Sequence, residues 1–184
     1  RDGDAAGARL PAMTGDLLHK LDLAARHAAP GAVTLILVLV GVTPTQLPYY
    51  SAIAPLLPLA SVYYWGVYRP DLMPMWLIFL VGLLHDALTD SPIGLHAAIL
   101  LLCQWVLLRQ RRFLAGRPFV VLWLGFAVLA AVVTLVEWIG VGLYDVAVVP
   151  PRPLVIRLVV TVALFPPLAW LFIQVHRGFL RAGD

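Results

Sequence analysis

Six apolar runs, with only short breaks between them, decide what this chain can fold into. They extend from Gly31 to Leu47, Ser51 to Tyr68, Leu72 to Thr89, Pro92 to Leu108, Pro118 to Leu143 and Leu154 to Val175. Pro55 and Pro58 interrupt the second, and Pro166 and Pro167 break the sixth. Inside hydrocarbon no water serves the backbone N–H and C=O groups, so a spanning segment must be a helix or part of a closed barrel. Barrel strands alternate in polarity and these runs do not. At 1.5 Å per residue, runs of about 17 to 18 residues cover about 26 Å. That falls just short of a hydrocarbon core of roughly 30 Å, leaving flanking aromatics and local thinning to cover the rest. The fifth run is long enough to tilt. The expected fold is an all-α membrane protein, a six-transmembrane-helix bundle.

Composition supports this class. The chain is 61% hydrophobic and 12% charged, with a mean hydropathy of +0.90. A soluble domain is about 45–50% apolar and about 25% charged. The pI near 9.4 would fit nucleic acid, but the 13 Lys and Arg residues sit at the ends of the runs. They read as topology signals, so membrane lipids are expected partners and nucleic acid is not. The single cysteine, Cys103, excludes an intramolecular disulfide framework and reads as a small core residue.

Six spans put both termini on one side. That side holds Arg1, Arg9, Lys20, Arg26, Arg69, Arg109, Arg111, Arg112, Arg117, Arg177 and Arg181, and the other holds Arg152 and Arg157. The bias places both termini in the cytoplasm. The cluster RQRRFLAGR, residues 109–117, is the strongest anchor; it serves retention alone or docks a cytoplasmic or lipid partner. Tyr49, Tyr50, Tyr63, Tyr64, Trp65, Tyr68 and Trp105 lie near run ends, as an aromatic belt would.

Residues 1–30 form a polar N-terminal segment, 31–176 the six-helix transmembrane domain and 177–184 a cytoplasmic tail. Met13 is a candidate native start, which would make residues 1–12 a scar or an upstream extension. Leu17, Leu21, Ala24, Ala25 and Ala28 recur at helical spacing among Lys20, Asp22 and Arg26. They fit a short amphipathic helix on the membrane surface or, equally, a solvated leader. No small-residue cleavage site follows an apolar run, so this is not a cleaved signal peptide.

The informative stretch is 75–96, MWLIFLVGLLHDALTDSPIGLH. It carries Asp86 within an apolar helix, where a carboxylate at the bilayer centre costs about 2.5–3.5 kcal/mol. Met75, Phe79, Gly82, Asp86 and Asp90 step by three or four and share a face, with His85 pointing elsewhere. Gly82 on that face allows a close helix approach. Ser91 would cap the fourth helix, with Pro92 in its first position. Counting at 1.5 Å per residue puts Asp86 about 21 Å along its span. It places His96, Glu137 and Arg157 at a similar depth, in the outer half of the bilayer, with Gln104 deeper. Glu137 or Asp86 is then expected to neutralise Arg157. Such a layer is a satisfied structural network that fixes register, a ligand or ion site, or a partner-binding face.

Catalytic chemistry finds little purchase. Asp86 and Asp90 with His85 and His96 resemble metal-ligand spacing. A catalytic zinc needs three protein ligands and an open position, and HExxH is absent. No serine stands in a GxSxG elbow. Gly140 and Gly142 follow no strand and read as helix packing, not a phosphate loop. No metal, cofactor or catalytic residue is expected.

Gly82-Leu83-Leu84-His85-Asp86, then Ser91-Pro92-Ile93-Gly94-Leu95, resembles the hallmark stretch of the MreD family of rod-shape-determining membrane proteins. That stretch has the form G-L-L-x-D, a turn of about seven residues, then G-L. Gly82, Asp86 and Gly94 match it position by position over a close match of about 25 residues. Beyond it, the likeness is one of span number, short loops, the basic loop after the fourth run and proline in the last. The family often has glycine where this chain has Asp90, which favours Asp86 over an Asp86/Asp90 pair. The resemblance implies a non-enzymatic inner-membrane subunit of the bacterial cell-elongation machinery. It implies a partner, MreC, and indirect links to actin-like MreB filaments and the RodA–transpeptidase pair. It also implies a fold like the substrate-binding subunits of energy-coupling-factor transporters.

The leading expectation is a scaffold with Gly82, Asp86, Gly94, His96, Glu137 and Arg157 as structural or partner-binding residues. Small residues at Gly82, Ala127, Ala130 and Ala131 would let helices meet closely. A small-molecule binding subunit of a transporter is the alternative, using the polar layer as its pocket. A membrane enzyme comes third.

Overall fold

The computed structural model describes residues 30–42, 55–89, 92–145 and 151–180. The expectations for residues 1–29, for Tyr49 and Tyr50, and for Asp90 and Ser91 lie outside these residues. The described chain is all-helical. Helix α1 is Pro30–Val42. It is followed by α2 (Leu57–Tyr68), a 3-10 turn (Pro70–Leu72), α3 (Met75–Leu88), α4 (Leu95–Leu114), α5 (Phe119–Asp145) and α6 (Pro151–Leu180). Each apolar run therefore contributes one helix, in order. Helix α6 passes unbroken through Pro166 and Pro167 and continues beyond residue 176.

Helix α2 is the centre of the bundle. Its residues from Leu57 to Val67 are all buried, and it is apolar on every side, as a helix enclosed by others must be. Pro58 sits in its first turn, where a missing N–H costs nothing, so the proline starts this helix rather than interrupting it. Three of the expected belt aromatics are core residues instead: Tyr63, Tyr64 and Trp65 are buried. Tyr63 donates its hydroxyl to the Leu122 carbonyl at 2.9 Å and meets Phe126 and Phe165 edge-on. Tyr64 and Trp65 pack on Phe172. Of the belt candidates among the described residues, Tyr68 and Trp105 are exposed, as a belt requires.

The other helices present stripes to this centre. On α5 the buried stripe is Leu122, Phe126, Ala130, Val133, Thr134 and Glu137. On α6 it is Thr161, Phe165, Ala169 and Phe172, with Arg157 one turn earlier. Between the stripes large apolar side chains face outward, among them Val128, Val159, Trp76 and Trp170. A water-soluble monomer rarely exposes so much apolar surface; lipid accepts it.

Among the described residues two helices are long and apolar enough to cross a membrane, Phe119–Gly140 within α5 and Arg152–Val175 within α6. Helices α2 and α3, of 12 and 14 residues, are shorter than the expected spans. At 1.5 Å per residue they cover about 18–21 Å. The third helix begins at Met75 and not Leu72, because Pro70 and Pro74 confine Leu72 to the 3-10 turn. The buried face of α3 is Ile78, Val81, Gly82, His85 and Asp86. Met75 and Phe79, expected beside Gly82 and Asp86, are exposed.

Candidate functional site: a carboxylate that closes the α3–α4 hairpin

Helix α4 begins with donors that its own sequence cannot satisfy. A helix leaves its first N–H groups without intrahelical partners. The α4 N-cap is Gly94, which has no side chain to offer. Asp86, eight residues earlier on α3, supplies the acceptors. Its Oδ2 accepts the Gly94 N–H at 2.8 Å and the Ala97 N–H at 3.4 Å. Its Oδ1 accepts the His96 N–H at 3.1 Å. The Leu95 N–H goes to the Pro92 carbonyl at 3.1 Å, and the Ala98 N–H to the Gly94 carbonyl at 2.9 Å. The first turn of α4 is thus fully served. A carboxylate there also meets the positive end of the helix dipole.

This corrects the expected start of the fourth helix. Pro92 is not its first residue; the helix starts three residues later, at Leu95. The carboxylate that serves its first turn comes from another helix. Gly94 adopts φ +97°, a left-handed conformation that costs other residues about 1–2 kcal/mol.

Gly82 makes the same hairpin possible from the other side. A Cβ at Gly82 would stand 2.4 Å from Ala97 Cα and 2.7 Å from Ala97 N. Those are backbone atoms and cannot step aside. Gly82 and Asp86 lie four residues apart on one face, so the first turn of α4 rests on the bare backbone at Gly82 and its N–H groups reach Asp86. Gly82→Ala is expected to destabilise the bundle by about 1–3 kcal/mol or more through overpacking. Thermal unfolding of the detergent-purified protein measures this; an unchanged midpoint would mean the two helices do not cross so closely.

From Asp86 a chain of charged groups crosses the bundle. His96 Nδ1 lies 2.7 Å from Asp86 Oδ1. His96 Nε2 lies 3.1 Å from Glu137 Oε1, and Glu137 Oε2 lies 2.9 Å from Arg157 Nη1. The structure therefore brings together Asp86, His96, Glu137 and Arg157, and assigns Arg157 to Glu137. The charges cancel when His96 carries a proton on each ring nitrogen: two carboxylates then face one imidazolium and one guanidinium. Four helices are tied in one layer, α3 through Asp86, α4 through His96, α5 through Glu137 and α6 through Arg157. Gln104 lies elsewhere, donating from α4 to the Met73 carbonyl at 3.4 Å.

His85 belongs to this cluster, contrary to expectation. It is 9% exposed, and its ring centroid lies 4.4 Å from that of His96. Its Nδ1 has no hydrogen-bond partner among the described residues. The signal that would have found it is the double stripe 81–82 and 85–86, which makes the buried face of α3 two residues wide. His85, His96 and Glu137 share a cavity of about 10 Å³ with Leu59 and Val133. Such a space is about the least that holds one water molecule.

Ligand atoms of His85, Asp86 and His96 lie within 4.8 Å of one another, a spacing that raises the question of a metal ion. The donors answer it poorly. Asp86 is committed to backbone N–H groups, and both ring nitrogens of His96 face carboxylates. A catalytic metal needs three free ligands and an open position. The arrangement is suited to holding helices in register.

Exposed apolar faces around a closed polar layer define a helical membrane protein. Residues 29–175 match the family of the rod shape-determining protein MreD, and the chain belongs to that family. Neither a curated protein nor a solved structure matches it.

Proposed function

We propose that this chain is a non-enzymatic scaffold subunit of the bacterial cell-elongation complex. Family membership supports a rod-shape-determining role. In this reading it is a multi-pass protein of the inner membrane with both termini in the cytoplasm. It binds MreC and connects, through other subunits, the MreB filaments to the RodA–transpeptidase pair. Its fold is of the kind seen in energy-coupling-factor substrate-binding subunits.

The observation that carries the scaffold reading is the closure of the polar layer. Its charged groups face one another and the α4 backbone, and among the described residues the cavity that His85, His96 and Glu137 line is small. A vitamin-sized ligand would need a cavity of roughly 300 Å³ or more; about 10 Å³ adjoins His85, His96 and Glu137. Among the described residues, what remains for binding is the outer surface of the helices with its lateral groove.

The test is co-purification from bacterial membranes with tagged MreC, together with restoration of rod shape in cells depleted of their own MreD protein. The intact chain is expected to recover MreC and restore rods. Trp76→Ala and Leu80→Ala, on the exposed side of α3, separate partner binding from folding because neither side chain supports the core. A folded, membrane-inserted chain that neither recovers MreC nor affects cell shape would end this reading.

A further inference from the structure

Helices α4 and α5 leave a groove of about 270 Å³ between them. Ile99, Leu102 and Val106 form one wall, and Val128, Val132 and Val136 the other. Leu102, Val128 and Val132 are more than half exposed, so the groove opens sideways. Gln110 and Leu114 line one end of it. That end carries the chain's densest positive charge. Arg109, Arg111, Arg112 and Arg117 all lie within about one turn of Gln110 or Leu114. No Asp or Glu occurs between residues 91 and 136, and among the described residues no ion pair involves Arg111 or Arg112. Two of the guanidiniums are steadied by aromatic rings. Arg109 lies 4.0 Å from the Trp105 centroid, and Arg117 lies 4.9 Å from that of Phe113.

An aliphatic slot ending at clustered arginines matches an amphiphile with an anionic head and a hydrocarbon tail. Its apolar length agrees: Ile99 to Gln110, where the arginines begin, covers about 16 Å. One leaflet's share of the hydrocarbon is about 15 Å, half of the roughly 30 Å core. We propose that the α4–α5 groove seats one acyl chain of an anionic phospholipid whose phosphate is bound by the arginines at its mouth. Basic clusters at helix ends bind such headgroups through charge, and the groove adds a fixed seat for the tail. The proposal requires only that the chain lie in a membrane. It stands or falls independently of the scaffold reading.

Native mass spectrometry of the protein released from nanodiscs of equal phosphatidylglycerol and phosphatidylcholine is the test. Preferential retention of phosphatidylglycerol is expected. Arg111→Ala with Arg112→Ala should weaken that preference by about thirtyfold. Val132→Trp, which fills the groove at an exposed position, should reduce retention with the arginines intact. Val128→Phe does the same more gently, should the first variant not fold. Equal retention of the two lipids would overturn the proposal. So would full retention in a folded groove-filled variant, which would place the lipid on the outer surface, or an unchanged preference in the Arg111→Ala, Arg112→Ala variant.

Discussion

Asp86→Ala is expected to prevent the protein from accumulating in a folded state. The substitution removes the acceptor for three backbone N–H groups at the start of α4 and the partner of His96 at 2.7 Å. Breaking a buried ion pair from one side costs about 3–5 kcal/mol. Each buried donor left unsatisfied adds about 1–3 kcal/mol. The sum approaches the whole stability of an ordinary domain, about 5–15 kcal/mol. Asp86→Asn is the discriminating variant. Its amide oxygen still accepts from the α4 backbone, but its NH2 group would face the N–H donors on the other side. It should fold with a lowered midpoint, between those of the parent and the alanine variant. Protease resistance in membranes and thermal unfolding in detergent measure both. An Asp86→Ala protein as stable as the parent would show that α4 finds its cap elsewhere.

The order and number of the helices were legible because each apolar run needs its own hydrogen-bonded backbone, and prolines and glycines mark the breaks. The shared depth of His96, Glu137 and Arg157 was legible for a related reason. Helices that run up and down a bundle rise at a fixed 1.5 Å per residue, so counting from their ends locates layers. What resisted reading was tertiary. The start of α4 could not be placed because its cap lies on α3, and local cap chemistry pointed to Ser91 and Pro92. The Tyr63–Trp65 cluster reads as a belt when a helix is taken to face lipid, and becomes core once α2 is enclosed by its neighbours. The angle between neighbouring residues points His85 away from Asp86, whereas a packed face takes in adjacent positions. The motif itself gains meaning only in three dimensions. Gly82 admits α4, Asp86 caps it and Gly94 makes the turn, so three residues separated in sequence perform one task.

Removal of either member of the Glu137–Arg157 pair is expected to destabilise the bundle by about 3–5 kcal/mol, and removal of both by distinctly less than the sum. Arg157→Met leaves Glu137, whose side chain is 5% exposed, with His96 as its one ion-pair contact among the described residues. Glu137→Leu leaves the Arg157 guanidinium without its carboxylate at 2.9 Å and takes from His96 its contact at 3.1 Å. Each single variant takes from a buried ion its opposite charge at 2.9 Å. The double variant Glu137→Leu, Arg157→Met leaves apolar side chains of similar volume in its place and removes that penalty. A coupling of about 1–3 kcal/mol is expected from the double-mutant cycle, within the range for residues in contact. His96 keeps Asp86 throughout, so the α3–α4 hairpin should survive in all three variants while the docking of α6 weakens. That distinction can be read directly. Cleavage should become easier along α6 in the single variants, with α3 and α4 still protected. Strictly additive losses would mean that the two side chains do not share charge across the bundle, and that α6 is held by its apolar stripe of Phe165, Ala169 and Phe172 and by its hydrogen bonds with Trp123 and Leu56.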